Sequence, residues 1–166
     1  MPVMIRQING DDWQLFVPLR QKYTTDEAHF VGTRPQEAAW GEAEWRSKLD
    51  KPESYFVGAF EGAAMVGFGA FKVVDPQTLE FTSLYVVPAA RGKGAGRALM
   101  KAIMEKAIEH PTAITMLNCH EASNSLSEAM MKKAGFAFDY EEFNTQYYPG
   151  GARVLHYALD LTPLKK

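Results

Sequence analysis

The chain has 166 residues, 46 % of them hydrophobic and 23 % charged, and a net charge of −2. This length supports a single domain, residues 1–166, with its own core, and the composition excludes disordered, collagen-like and low-complexity classes. The balanced charge argues against nucleic-acid binding, and no run of about 18 apolar residues suits a membrane span. The single cysteine, Cys119, and a start unlike a signal peptide favour a cytoplasmic protein.

The N-terminal third predicts one strand followed by two helices. Residues 3–8 are apolar enough for a strand. Large apolar residues recur at helical spacing over residues 13–23, although Pro18 should disturb that helix. Residues 24–34 have no clear period and are interpreted as a loop or a short helix. A second helix is predicted over residues 35–49.

The middle of the chain carries the strongest strand and helix signals. Residues 55–60 and 65–74 are β-rich and flank Glu61-Gly62, which indicates a hairpin. Residues 79–87 form the strongest predicted strand, which Pro88 should end. Residues 96–108 carry one continuous apolar stripe and predict an amphipathic helix.

The last third predicts a strand, a helix and a final hairpin. Residues 112–119 form the strand, and Ser125 with Glu128 has the spacing of a capping box at the start of the helix. Residues 136–148 and 153–161 form the hairpin. The predicted order is β-α-α-β-β-β-α-β-α-β-β, which indicates an α/β domain with a central sheet.

A glycine-rich loop, R-G-K-G-A-G-R at residues 91–97, joins the strongest strand to the most amphipathic helix. Three glycines let several backbone N–H groups converge at a helix start, which together with three cations predicts a phosphate site. The alternative is a tight turn with no ligand. A Walker loop is excluded because Lys93 is followed by Gly94, and Arg97 or Leu99 stands where a dinucleotide fingerprint needs a third small residue.

The segment L-Y-V-V-P-A-A-R-G-K-G-A-G-R-A-L-M resembles the acetyl-CoA motif of the GNAT superfamily of acyl-CoA-dependent N-acetyltransferases. Asn124, Ser127 and the run A-M-M-K-K-A-G-F ending at Phe136 resemble the family's Asn-x-x-Ala-(x)3-Tyr-(x)3-Gly-Phe pattern. The resemblance covers residues 55–161 well and the first 50 by element order. It implies a mixed, mostly antiparallel central sheet flanked by helices, with the acetyl-CoA motif at residues 79–109.

The resemblance also implies acetyl-CoA as the cosubstrate. Backbone N–H groups of the glycine loop would hold the pyrophosphate, and the edge of the strongest strand would pair with the pantetheine arm. We expect no metal, because the histidines and Cys119 have no ligand spacing. The cofactor-binding residues predicted in this way are Leu84, Tyr85, Val86, Arg91, Gly92, Lys93, Gly94, Ala95, Gly96, Arg97, Asn124, Ser127 and Met131.

In this family a neutral amine attacks the acetyl thioester directly, so a base and an acid are expected. Glu80, on the strongest strand, occupies a place where several members carry a general-base glutamate; the alternative is a solvent-facing residue paired with a lysine. Met131 stands at the position of the family's usual general acid, a tyrosine. Candidate substitutes are His120 and Tyr147, and less favoured Tyr85 and Tyr148. Cys119 is expected to be a buried small hydrophobe.

The acceptor would be a primary amine of a small molecule or peptide, bound by residues 12–50 and 138–152. Aromatic walls and acidic ammonium partners in these segments suit a cationic amine. Members of the family frequently dimerise, so a homodimer is compatible with the resemblance. The alternatives are a CoA-binding regulatory module with little turnover and an interaction domain that uses Lys93, Arg97 and Lys101. The predicted walls are Trp40, Trp45, Phe30, Tyr147 and Tyr148, and the predicted ammonium partners are Asp26, Glu27, Glu141 and Glu142.

Overall fold

A computed structural model describes residues 2–25 and 32–166. In this part of the chain seven strands form one sheet in the order β1-β2-β3-β4-β5-β7-β6. The strands are β1 Met4–Gln7, β2 Ser54–Glu61, β3 Ala64–Asp75, β4 Thr78–Val86, β5 Thr115–Glu121, β6 Ala137–Asn144 and β7 Ala152–Asp160. The α-helices are α1 Trp13–Thr25, α2 Glu42–Asp50, α3 Ala95–Glu109 and α4 Ser125–Lys133, and short 3-10 turns lie at Gly10–Asp12, Pro35–Ala39, Pro88–Ala90 and Thr162–Leu164.

Neighbouring strands run antiparallel except for β4 and β5, which are parallel. The predicted mixed, mostly antiparallel sheet flanked by helices is therefore confirmed, as is the order of strands and helices. Among the described residues, none of the helices combines the length and the apolar character needed to cross a membrane.

The sheet buries a separate core on each face. On one face the apolar stripe of α3, with Leu99 and Ile103 fully buried, packs beside Met131 of α4. On the other face Phe16 of α1 makes edge-to-face ring contacts with Phe56 and Phe68 of the sheet. We call these the α3 face and the α1 face. Each helix is held by burial of its apolar stripe rather than by local propensity.

Strand β4 contains a bulge that changes which residues face each core. Phe71 of β3 pairs with Phe81, whereas the adjacent Ala70 pairs with Ser83, so Thr82 is an extra residue. Before the bulge Leu79 and Phe81 lie in the α3-face core; after it Val86 lies there instead, and Tyr85 joins the α1-face core. A strict two-residue alternation along the sequence cannot show this reversal.

Three local expectations differ from the structure. The helix predicted over residues 35–49 is interrupted at Trp40, whose extended backbone (φ −76°, ψ 137°) separates the 3-10 turn from α2. Pro18 lies inside α1 without ending it, because it removes one hydrogen bond on an exposed face. At α4 the side chain of Asn124, not that of Ser125, caps the helix by accepting the Ser127 N–H at 3.0 Å.

Candidate active site

A groove of about 1480 Å³ opens where β4 and β5 separate. The two strands are paired only from Thr78 to Glu80 on β4, opposite residues 115–117. At the point of separation the buried Asn118 side chain donates from Nδ2 to the carbonyl of Phe81 at 3.1 Å. The rest of β4 therefore borders the groove with one edge unpaired.

The open edge of β4 presents backbone hydrogen-bonding groups. Val87 donates its N–H to Val66 of β3 at 2.9 Å. Because successive peptide groups of a strand point to opposite edges, the N–H of Val86 and, two residues earlier, that of Leu84 point toward the groove. The Tyr85 peptide points back to β3, and its side chain is buried on the α1 face. An extended ligand can pair with this edge as an added strand would.

The glycine loop lies at one end of this edge and leads directly into α3. Gly92 and Gly94 have φ of +76° and +91°, a left-handed conformation that glycine adopts without strain, and a side chain at either position would meet no protein atom within 4 Å. Ala98 makes the first helical bond, to Gly94 at 3.0 Å. The N–H groups of Ala95, Gly96 and Arg97 lie ahead of that bond and face outward at the positive end of the helix.

Three cations surround the loop in different ways. Arg91 donates from Nε to the Val86 carbonyl at 2.8 Å and lies over the Tyr85 ring, so it ties the loop to the strand edge. Lys93 is exposed, with its Nζ 4.0 Å from Glu61 Oε1, and Arg97 is exposed beside the groove. Lys93 and Arg97 are therefore free to move onto an anion bound by the backbone N–H groups.

Helix α4 forms the opposite wall near this end. Asn124 and Ser127, both predicted from the sequence, line the groove and are held by the cap between them. Met131, which was predicted to contact the cofactor, has no exposed surface and packs in the α3-face core. That prediction is corrected, because a side chain without accessible surface cannot touch a ligand; Met130 lines the groove instead.

Glu80 lies on the α1 face of the groove, since its neighbours Leu79 and Phe81 are both buried on the other face. Its carboxylate is 3.2 Å from the ammonium of Lys72 on β3, its direct cross-strand partner, and its side chain is one-third exposed. Both sequence interpretations are therefore partly met: the residue is paired with a lysine and it borders the groove.

His120 lies on the α3 face of β5 and is 4 % exposed. Its Nδ1 is 2.8 Å from the carbonyl of Glu121, and its ring stacks on Tyr157. Within the described residues its buried Nε2 has no hydrogen-bond partner. A buried nitrogen without a partner is costly, and other atoms of His120 line the groove, so Nε2 is the ring atom that would gain a hydrogen bond if a ligand or water reached it.

Cys119 faces the α1 side of the groove, between the buried Asn118 and His120, which face the other side. The expectation of a buried hydrophobe is wrong, because the side chain has exposed surface in the groove. The groove walls still surround the thiol closely enough that burial raises its pKa to about 11, and the carboxylates of Glu80 and Glu142 act in the same direction. The thiol is thus protonated at neutral pH and is a poor nucleophile.

Two tyrosines in the loop between β6 and β7 also line the groove. Tyr147 accepts a hydrogen bond from Gln146 Nε2 at 3.2 Å, and the guanidinium of Arg34 lies 3.9 Å from its ring centroid. Tyr148 is half-buried in the groove, and burial raises its pKa to about 12. Both side chains are therefore wall residues, and the Tyr148 phenol stays protonated near neutral pH.

The other residues predicted on the acceptor side divide into three groups. Trp40 and Glu142 line the groove, and Glu142 Oε1 lies 3.2 Å from His156 Nε2 without hydrogen-bond geometry. Trp45 is 3 % exposed in the α1-face core, and Glu141 pairs with Arg153 outside the groove, so neither serves the predicted role. Asp26, Glu27 and Phe30 lie outside the described residues.

One cluster in the groove was not predicted from the sequence. Arg20 of α1, buried at 7 % exposure, donates two hydrogen bonds to Glu37, at 2.9 and 2.8 Å. Lys48 of α2 approaches the same carboxylate at 3.6 Å. The three residues are separated by 17 and 11 positions in the chain, so no local motif signals them. Among the described residues, no group of three or more His, Cys, Asp or Glu side chains could hold a metal ion.

The chain was compared with known proteins. Residues 13–136 match the sequence profile of the Acetyltransferase (GNAT) family. A segment of 79 residues, 46 % of this chain, is 31 % identical to the N-alpha-acetyltransferase RimI of Mycobacterium tuberculosis. That segment spans about half of the curated relative (48 %).

Solved structures agree in fold along nearly the whole chain. An N-acetyltransferase from Staphylococcus aureus Mu50 superposes with a TM-score of 0.79 at 21 % identity, covering 97 % of this chain and 99 % of that one. The yncA protein of Salmonella typhimurium, solved with its cofactor acetyl-CoA, gives the same TM-score at 18 % identity, covering 97 % and 95 %. At these identities the likeness shows a shared fold.

Proposed function

The chain belongs to the acetyltransferase (GNAT) family, and we propose on that basis that it transfers the acetyl group of acetyl-CoA to a primary amine of a small molecule or peptide. The proposal rests mainly on one observation, which is that two binding features of the groove adjoin each other. The open edge of β4 runs into the glycine loop and the start of α3, so one extended ligand with an anionic end can use both. Acetyl-CoA has this shape and charge.

The cofactor would bind largely through backbone groups. The N–H groups of residues 92–97 suit the pyrophosphate, with Lys93 and Arg97 closing over it. The edge groups of Leu84 and Val86 suit the amides of the pantetheine arm, and Asn124 and Ser127 line the facing wall. Tyr85 and Arg91 also line the groove, and the contacts of Arg91 with the Val86 carbonyl and the Tyr85 ring would hold the loop against the strand.

The reaction forms a nitrogen–carbon bond and breaks a carbon–sulfur bond. The neutral amine attacks the thioester carbonyl, negative charge develops on the carbonyl oxygen, and collapse of the tetrahedral intermediate expels the CoA thiolate. The N–H of Val86 points into the groove and would donate to that oxygen. One proton must leave the amine and one must reach the departing sulfur.

Glu80 and His120 are our proposed proton carriers, on opposite faces of the groove. Glu80 would take the proton of the amine, directly or through a water, and Lys72 holds its carboxylate in place. In His120 the Nδ1–H donates to the Glu121 carbonyl, so Nε2, which is buried at the wall of the groove, is the ring nitrogen left to carry a proton. With Met131 in the core, His120 would supply the proton for the thiolate. Tyr147, whose hydroxyl is bonded to Gln146, would form the acceptor wall.

A CoA-binding module without turnover is the second candidate, favoured by the burial of Met131 at the position of the family's usual acid. An assay with acetyl-CoA and a panel of primary amines, in which release of the CoA thiol is measured, distinguishes the acetyltransferase from the CoA-binding module. We expect amine-dependent thiol release that falls at least about tenfold in His120→Asn with an unchanged Kd for acetyl-CoA. Tight acetyl-CoA binding with no thiol release for any amine would favour the module.

A further inference from the structure

The cluster of Arg20, Glu37 and Lys48 has more positive charge than its single carboxylate balances. Two hydrogen bonds from Arg20 occupy both oxygens of Glu37, and they lower its pKa although burial acts in the other direction. The ammonium of Lys48 shares one of these oxygens at 3.6 Å, which is longer than a good charged hydrogen bond. Glu37 is thus fully ionised and largely committed to Arg20.

The charge of Lys48 is correspondingly under-compensated. Burial lowers its pKa to about 8, and the nearby cations Arg20 and Lys51 act in the same direction, against the opposing effect of Glu37. An oxyanion placed beside Lys48 would restore the ammonium form. The side chain is 23 % exposed and lines the groove, so a ligand can reach it.

Two other carboxylates that line the groove have partners of their own. Glu44 accepts the N–H of Gly41 at 2.9 Å and so holds the start of α2. Glu80 is paired with Lys72 at 3.2 Å. Because of these contacts, neither the Glu44 nor the Glu80 carboxylate is available to balance the charge of Lys48.

Two tyrosine rings, those of Tyr23 and Tyr85, lie between this cluster and the open edge of β4. The Arg20 guanidinium is 5.5 Å from the ring centroid of Tyr23, and that centroid is 5.7 Å from the ring of Tyr85. Tyr85 is the neighbour of Val86, whose N–H faces the proposed acetyl site. A molecule with its amine at the strand edge can therefore reach Lys48 with a second group several bonds away.

We propose that Lys48, oriented beside the Arg20–Glu37 pair, is a binding subsite for a carboxylate of the acceptor. The acceptor is then an amine that carries a carboxylate separated from it by several bonds. This inference rests on the proposed acetyltransferase function and specifies its substrate class. It adds a site for a negative group to the sequence-based expectation of a cationic amine held by acidic residues.

The test uses matched pairs of acceptors, each an ω-amino acid and its carboxamide, from glycine to 6-aminohexanoate. Thiol release is measured for the wild type, Lys48→Met, Lys48→Arg and the control Lys101→Met, which alters an exposed lysine paired with Glu105 on α3. Loss of one charged hydrogen bond is worth about 10- to 100-fold in affinity. We expect the longer ω-amino acids to exceed their carboxamides by about that factor in kcat/KM, mainly through KM.

Lys48→Met should remove the preference for the carboxylate, so that each acid and its carboxamide react alike, and Lys48→Arg should restore part of the preference. A wild type that does not prefer the carboxylates, or a Lys48→Met variant that loses both members of a pair equally at unchanged Tm, overturns the subsite. In the latter case Lys48 has only a structural role.

A binding measurement separates failure of the subsite from failure of the function. The N-acetylated 6-aminohexanoate and its carboxamide are titrated into the CoA-saturated wild type and Lys48→Met by calorimetry. If no amine is acetylated but the carboxylate binds in a Lys48-dependent way, the proposed function fails and the subsite stands. If amines are acetylated and neither product discriminates, the function stands and the subsite fails.

Discussion

The two halves of the groove are built from different parts of the chain. The half that we propose for the cofactor, called the cofactor half, offers backbone groups within one continuous segment, from Leu84 on β4 to Arg97 in the first turn of α3. The acceptor half uses side chains brought from α1, α2, β5 and the β6–β7 hairpin, such as Arg20, Lys48 and Cys119. A backbone site changes only when its conformation changes, whereas a side-chain site changes with single substitutions.

The largest expected effect comes from the carboxylate on the acceptor side. Glu80→Gln removes the proposed base without changing the volume of the side chain, so kcat should fall by about 10²–10⁴-fold. The Kd for acetyl-CoA should stay the same, because the cofactor half is untouched. Steady-state thiol release and calorimetry measure the two quantities separately.

Glu141→Gln is the matched control, since Glu141 is ion-paired with Arg153 at 2.8 Å outside the groove. It should leave kcat and KM unchanged. Turnover of Glu80→Gln equal to that of the wild type would remove Glu80 from the mechanism.

A substitution in the glycine loop should affect only the cofactor half. Gly94→Val places a branched side chain in open space where the pyrophosphate would lie, at a φ of +91°. Loss of a charged hydrogen bond there predicts acetyl-CoA binding weaker by about 10- to 100-fold. Equilibrium titration with acetyl-CoA measures this.

Gly150→Val controls for backbone strain, because Gly150 has a φ of +83° and also faces open space. Both variants carry the left-handed penalty of about 1–2 kcal/mol in stability. Equal acetyl-CoA affinities for the two variants would show that the loop does not hold the pyrophosphate.

Met131→Tyr tests whether the missing family tyrosine can be restored. Met131 has no exposed surface, so a larger ring with a hydroxyl should overpack the α3-face core and cost about 1–3 kcal/mol in stability. We expect a lower Tm and no gain in turnover at any pH. Met130→Tyr, on the residue that lines the groove, should cost less stability. Faster turnover of Met131→Tyr with an unchanged Tm would contradict the burial of this position.

The smallest effect is expected at Cys119. With a pKa of about 11, its thiolate fraction at pH 8 is on the order of 10⁻³. Alkylation by iodoacetamide at pH 8 should be slower than that of glutathione by about 100-fold or more and should rise steadily toward pH 10. Cys119→Ser should retain most of the turnover. Alkylation as fast as that of glutathione would show an activated thiol.

The cofactor half could be predicted from the sequence because its signals are local. A β-rich run, a proline and three closely spaced glycines stand next to each other between Leu79 and Gly96. Their consequences, a strand edge and a helix start, need only neighbouring residues. The order of strands and helices along the chain followed from the same kind of signal, since turn residues and changes of apolar period are also local.

The acceptor half could be predicted only in part. Trp40, Glu142, Tyr147 and Tyr148 line the groove as the sequence suggested, but the other determinants are tertiary. The bulge at Thr82 reverses the faces of β4, and the register of α4 turns Met131 into the core. Trp45 looked like a wall residue but packs under α1, and the pairing of Arg20 with Glu37 joins separate segments. The exposure of Cys119 depends on the divergence of β5 from β4, which no residue of β5 signals by itself.

The most direct test of the central claim is thermal unfolding with acetyl-CoA, with CoA, ATP and NAD as comparison ligands. Saturation at about 100 times Kd adds roughly 2.7 kcal/mol of stability, or about 5–11 °C in Tm for a chain of this length. We predict that shift with acetyl-CoA and CoA alone, and its loss in Gly94→Val but not in Gly150→Val. No shift with acetyl-CoA, or an equal shift with ATP and NAD, would contradict the assignment of the groove to acetyl-CoA.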